Sequence, residues 1–200
     1  MADPTPPKTD IPATVAAKAE PAPVPPITTF SHLHVHSHYS LLNSLPKVED
    51  LVGQAKKYGM KALAITDNGN LYGAIDFFKA CKKAEIKPIL GVDFYVAARK
   101  RTDMQAGIDS KRTRLVLLAK DMVGYKNLIQ LVTHSHLEGF YYKPRVDREL
   151  LAQYAAGLIC ISPAMISEVA NALRAKDTEK ARAALTFYKQ TFGVENVYQD

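Results

Sequence analysis

The chain has little of what marks exported, membrane-spanning or common nucleotide-binding proteins. Among its 200 residues there are two cysteines, Cys81 and Cys160. They lie far apart and form no C-x-x-C pair, so they read as reduced, buried thiols of a cytoplasmic protein rather than a disulfide framework. No apolar run reaches the roughly 18 residues of a membrane-spanning helix, which argues against a membrane partner. The N-terminus has no basic segment leading into an apolar core, so no secretory signal is legible. The patterns G-x-x-x-x-G-K-[ST], G-x-G-x-x-G and G-x-S-x-G are all missing, and with them the usual local signatures of phosphate loops, dinucleotide sites and nucleophile elbows. Charge of one sign is only mildly in excess: 26 Lys+Arg against 20 Asp+Glu leave a net +6. That balance is compatible with a polyanionic partner without requiring one.

What is present divides unevenly. Eight of the 12 prolines fall within residues 1–28. Proline fixes φ and removes a donor, and no apolar residue there repeats at a helical period, so a disordered, partly polyproline-like leader is expected. From residue 30 onward, strand and helix patterns alternate. "SHLHV" alternates like a strand, and "KVEDLVGQAKKYG" places Val48, Leu51, Val52 and Ala55 on one helical face. Strands are predicted over 62–66, 87–98, 113–119, 157–162 and 196–199, and helices over 71–84, 123–137 and 178–193. The alternation predicts an α/β fold of βα units around a parallel sheet, with the chain stopping inside the sixth strand. With 47% hydrophobic residues, residues 29–200 suffice for one domain with a sizeable core.

Four of the six histidines stand in "FSHLHVHSHYS", at positions 32, 34, 36 and 38. Side chains two apart on a strand share a face, so an unbroken strand would align all four. Imidazole nitrogens bind zinc, manganese or iron, and an H-x-H pair can reach one ion from adjacent positions. His134 and His136 sit two apart on a predicted helix, where they do not share a face.

Four blocks, "FSHLHVHSHYSLLNSLPKVEDLV", "ALAITDNGNLYGAIDFFKACKKAEIKPILGVDFYV", "LLAKDMVGYKNLIQLV" and "LEGFYYKPRVDRELL", resemble in order and spacing the PHP (polymerase and histidinol phosphatase) domain at the N-terminus of bacterial replicative DNA polymerase III alpha subunits. The resemblance implies a distorted (β/α)7 barrel over 29–200, incomplete at its C-terminal end, with up to three metal ions at the strand C-terminal ends in metal-binding members. The family's H-x-H falls on His34 and His36. Its T-D-H reads Thr66, Asp67, Asn68, which keeps the aspartate and loses the histidine. Its G-x-E reads Gly91, Val92, Asp93. Other ligand positions fall on Asn43, Arg114 and Ala164, and a final D-x-H lies past Asp200. The residual set is therefore His34, His36, Asp67 and Asp93. It would take a divalent metal (Zn, Mn or Mg), but it falls short of the bridging carboxylates and imidazoles that a hydrolytic cluster needs. Arg114, a permanent cation, is expected within reach of Asp67 or Asp93 in place of the missing ions.

Two further segments carry charge. The loop 99–114 is basic and is read either as a solvated loop or as a contact for phosphate backbone or a neighbouring domain. "EGFYYKPRVD" mixes aromatics with Lys143 and Arg145, a pattern for nucleic-acid or domain contact. The favoured expectation is a metal-degenerate structural and partner-binding module with no metal bound. The resemblance implies that its parent chain is a DNA-directed DNA polymerase, a nucleotidyltransferase of DNA replication. Its partners would be the remainder of that polymerase chain, replisome subunits such as the proofreading exonuclease, and DNA through the full polymerase. The alternative is a metal-dependent PHP phosphoesterase or 3′–5′ exonuclease.

Overall fold

The computed structural model describes residues 30–199, so the leader expected at 1–28 lies outside the described residues. From the N-terminal side the elements are α1 (Val48–Lys57), β1 (Ala62–Asn68), α2 (Ala74–Ala84), β2 (Lys87–Ala97) and β3 (Arg112–Ala119). There follow α3 (Met122–Leu137), β4 (Phe140–Tyr141), β5 (Lys143–Val146), α4 (Arg148–Gln153) and β6 (Leu158–Ser162). The described chain closes with α5 (Glu168–Arg174), α6 (Thr178–Phe192), a 3-10 turn at Val194–Asn196 and β7 (Val197–Gln199). Four helices begin where a side chain can accept from their free N–H groups: Asp121, Asp147, Ser167 and Asp177 cap α3, α4, α5 and α6.

The strands form one seven-stranded sheet in the order β4-β5-β2-β3-β6-β7, with β1 also paired to β2. β2 is the spine. One edge carries β1 from Lys87 to Asp93 and then β5 at Tyr95 and Val96, while β3 lies along the other edge from Gly91 to Ala97. The fold is α/β as expected, but the sheet is mixed rather than parallel. β1/β2, β2/β5 and β6/β7 are parallel; β2/β3, β3/β6 and β4/β5 are antiparallel. The physical reason is the connection. A parallel return needs a crossover of a dozen or so residues, usually a helix, and the basic segment between β2 and β3 contains none.

Strand parity sorts the core. Leu63 and Ile65 of β1 pack with α1 and α2 around Val52 and Phe77. Val92, Phe94, Leu115, Leu117 and Cys160 pack against α3, α4, α5 and α6, with Leu128, Leu150, Val169 and Tyr188 among the contacts. The intervening residues Ala64, Ile89, Val116, Leu118, Ile159 and Ile161 make a separate, smaller cluster on the opposite, helix-free face. Residues 30–34, hydrogen-bonded alongside β1, and β7 line one cavity of about 770 Å³.

Candidate functional site

The histidine stretch is where the local pattern and the structure part. It alternates like a strand, yet it forms no regular strand. It is tied to β1 by Ala64 N donating to His32 O (3.0 Å) and Thr66 N donating to Val35 O (2.7 Å). The acceptors are three residues apart and the donors two, so one extra residue is inserted at the bend over Leu33 and His34. Such a bulge changes which side chains share a face. His32 is exposed and stacks edge-on against Phe30, and His38 lies against Tyr39. Only His34 and His36 turn together into the site.

Both meet Asp93. His34 Nε2 and His36 Nε2 lie 3.1 and 3.2 Å from the same oxygen, Oδ2, with the two rings edge-on at 5.1 Å. Arg114 closes the other side. Its Nε donates to Asp93 Oδ1 at 2.9 Å, and a terminal nitrogen donates to both Asp93 Oδ2 and Asn68 Oδ1. The guanidinium carbon stands 4.1 Å from the centre of the Tyr95 ring, a cation–π contact. Sheet register makes the assembly: Asn68 is opposite Asp93 and Tyr95 is opposite Arg114, so β1, β2 and β3 deliver these groups to one spot on the helix-free face. Asp93 is 1% exposed. Burial by itself would raise its pKa, but the hydrogen bonds from His34, His36 and Arg114, with the Arg114 charge, hold it well below the ordinary carboxylate range. For Arg114, burial opposes the charge and Asp93 more than offsets it, so its pKa is raised.

Asp67 does not join them. It has the parity of Leu63 and Ile65 and so points away from the helix-free face, into the turn that follows the histidines. Ser37 N (2.7 Å) and Ser40 Oγ (2.6 Å) donate to its Oδ1, and Ser37 Oγ donates to Oδ2 at 2.8 Å. Of the four residual ligands, only His34, His36 and Asp93 place donor atoms within 4.8 Å of one another. A metal fits this set poorly. Both oxygens of Asp93 already accept from Arg114, and a cation at the site would face the guanidinium. The other family positions do not fill the gap: Asn43 is exposed and turned onto Leu41 O, and Ala164 is exposed.

Arg145 requires a correction. Expected as an outward contact for nucleic acid or a neighbouring domain, it is fully buried. Its guanidinium donates to four backbone carbonyls: Gly139 (3.0 Å), Asp109 (2.9 Å), Arg101 (2.6 Å) and Asp103 (2.9 Å). The strand β5 points it under the basic loop, whose carbonyls it gathers. The loop is likewise not simply solvated. Arg99 pairs with Asp109 at 2.6 Å, and Arg101 with Glu138 at 2.8 Å and Asp147 at 3.1 Å. Lys143 stays partly exposed beside Tyr95, on the rim of a 190 Å³ cleft that Asn68, Tyr72, His136, Phe140 and Tyr142 also line. His134 and His136 diverge as helix geometry requires, the first to Glu138 and the second to Gly69 O. Sequence reasoning missed Asn68 and Tyr95 as partners of Arg114. The parity of "TDN" against "VDFY" was the available signal, but it becomes readable only once the strand register is known.

Comparison with known proteins follows the same lines. The family model described as PHP domain matches residues 32–200. The DNA polymerase III subunit alpha of Borreliella burgdorferi is 45% identical over 165 residues, that of Treponema pallidum 43% over 171, and that of Thermus aquaticus 42% over 168. Those alignments cover 82%, 85% and 82% of this chain but only 14%, 15% and 14% of the relatives, so the chain spans about one seventh of their length. Among solved structures, an amidohydrolase from Chromobacterium violaceum is 19% identical at a TM-score of 0.39, over 52% of this chain and 32% of that one. A likeness that slight carries no argument.

Proposed function

The chain belongs to the PHP domain family, and from that premise we propose that it is the N-terminal PHP module of a bacterial replicative DNA polymerase III alpha subunit in which an internal ion pair stands where metal-binding members hold ions. The observation that carries this reading is the Arg114 guanidinium on both oxygens of Asp93. A fixed cation there supplies the positive charge that a metal ion would otherwise bring to His34, His36 and Asp93. In this reading the module buttresses the polymerase and offers surface to the rest of that chain and to replisome partners. The domain runs from about residue 29, and the polymerase's nucleotidyl-transfer chemistry resides outside these residues.

The test is elemental analysis of the purified protein together with a nuclease assay on single-stranded DNA. The reading expects less than one tightly held transition metal per chain and no cleavage that depends on His34. Two or three bound ions, with a metal-dependent nuclease abolished by His34→Ala, would establish the phosphoesterase or exonuclease alternative instead.

A further inference from the structure

The lysines are not spread evenly over the surface. Lys56 and Lys57 stand in the last turn of α1, Lys82 and Lys83 in the last turn of α2, Lys61 just before β1, and Lys87 opens β2. Topology gathers all six at one end of the fold. α1 reaches β1 through residues 58–61 and α2 reaches β2 through 85–86, so each helix ends close to where the next strand begins. The two strand starts are neighbours: Ala62 is opposite Lys87, and Lys87 N donates to Lys61 O at 2.9 Å. The two helices share one core through Val52, Ala55, Phe77 and Cys81, the last turn of each included. All six lysines are exposed.

Part of this pattern has a local cause. Cations in a last turn complement the helix macrodipole, as acids do in a first turn, and Glu49, Asp50 and Asp76 occupy the first turns of these two helices. That cause does not reach Lys61 and Lys87, which belong to no helix. Nor are the charges neutralised nearby. Among the described residues none of the six forms an ion pair. Within residues 54–61 and 81–87, Glu85 is the one carboxylate, so six lysines leave a local excess of five positive charges where the whole chain has six. A field of one sign over one face attracts polyanions and raises their local concentration.

We propose that this lysine face holds the phosphate backbone of double-stranded DNA without reading its sequence. The cations within these turns are all lysines, and no arginine stands among them. An ammonium is a compact point charge without the fork of a guanidinium, which suits phosphate contacts that position a duplex and carry no sequence information. Duplex DNA presents one negative charge per about 1.7 Å of axis, so a compact face of six cations meets several phosphates at once. A single strand would ask for aromatic platforms between the cations, and the neighbouring Phe78 ring already has Lys82 Nζ over it at 5.6 Å. The face is also remote from the centre built on Asp93. Asn68 and Asp93 stand six residues further along β1 and β2 than Ala62 and Lys87, about 20 Å away. A duplex held here is therefore no substrate of that centre, and its binding does not require the polymerase reading.

The experiment is fluorescence anisotropy of a labelled duplex of about 20 base pairs, titrated with the 200-residue chain between about 50 and 200 mM salt. Affinity should fall steeply with salt, at a log–log slope of about −4 to −5, since each phosphate met contributes about −0.9. Lys82→Gln with Lys83→Gln should make the slope shallower by about 2 and weaken binding by about tenfold or more at the lowest salt. Lys56→Gln with Lys57→Gln should repeat that shift from the other helix. Lys111→Gln with Lys180→Gln removes the same charge from a cleft beside Ala97, at the far end of β2, and should leave slope and affinity unchanged. Circular dichroism melting of each variant separates contact from fold, because a macrodipole role alone would lower the melting temperature without moving the slope. A parent slope shallower than about −3 overturns the proposal. So does equal weakening by the three pairs of substitutions, or a single strand of the same length that binds as tightly as the duplex.

Discussion

Asp93 lies buried under two imidazoles and a guanidinium, and removing the guanidinium should show what it does. Breaking a buried pair from one side leaves an uncompensated charge, typically at a cost of about 3–5 kcal/mol. Arg114→Ala should therefore lower unfolding free energy by about 3 kcal/mol in urea titrations. Adding Asp93→Asn should recover a substantial part of that loss, because the stranded charge is then gone. The pH dependence has a definite sign. Asp93 is held below its unfolded value, so its stabilisation is complete above the ordinary carboxylate pKa of about 3.9 and is lost as pH falls from there toward the depressed folded value. Without Arg114 the folded pKa rises, and acid unfolding followed by circular dichroism should begin at higher pH than in the parent. An unchanged acid limb would show that the ion pair is not what holds the carboxylate charged. Arg145 gives a second prediction at this scale. Arg145→Met nearly keeps the buried volume but leaves the carbonyls of Arg101, Asp103 and Asp109 without their donor, while Gly139 O keeps the Arg145 backbone N–H. A loss of about 3 kcal/mol and faster proteolysis within residues 99–111 are expected.

At the scale of elements, the histidine stretch and the turn after it act as one unit, and Asp67 is its anchor rather than a ligand. Hydrogen bonds to a charged acceptor are each worth about 1.5–3 kcal/mol, and this carboxylate receives three. Asp67→Asn keeps the shape but removes the charge. It should cost about 2 kcal/mol and speed amide exchange across residues 37–46 while leaving the 112–119 strand protected. Exchange that rises equally in both segments would mean that the loop has no separate anchor. The regular elements were legible to different degrees. The helix "VEDLVGQAKK" and the strands "TRLVLLA" and "LICIS" stand close to where their periodicity placed them, because a buried face enforces one period over many residues. The helices at 148–153 and 168–174 were not read from the sequence. Their signal was present in the caps, Asp147 accepting from Leu150 N in "DREL" and Ser167 from Ala170 N in "SEVA", but six or seven residues are too few for an apolar stripe to stand out.

For the molecule as a whole, the polymerase-module reading makes stability independent of metal. A ligand that binds only the folded state raises the melting temperature, by more the further its concentration exceeds its Kd. Treatment with EDTA, or addition of Zn, Mn or Mg, should therefore shift the melting temperature by less than about 2 °C, because one kcal/mol corresponds to about 2–4 °C in a chain of this size. A drop of many degrees on chelation would reveal an ion holding the fold together. The sequence by itself determined the class of the fold, the family and the group of residues from which a site had to be built. Period and motif are local, and they survive whatever the chain does elsewhere. It also determined that Arg114 needed a carboxylate, since a guanidinium cannot shed its charge on burial. Which carboxylate it found was decided by tertiary structure. The pairing of β1 with β2 and of β2 with β3 put Asp93 and Asn68 beside Arg114 and sent Asp67 to the other face of the sheet. A single inserted residue in the histidine stretch admitted His34 and His36 and left His32 outside. Register and bulge are properties of how strands meet, and no strand carries them alone.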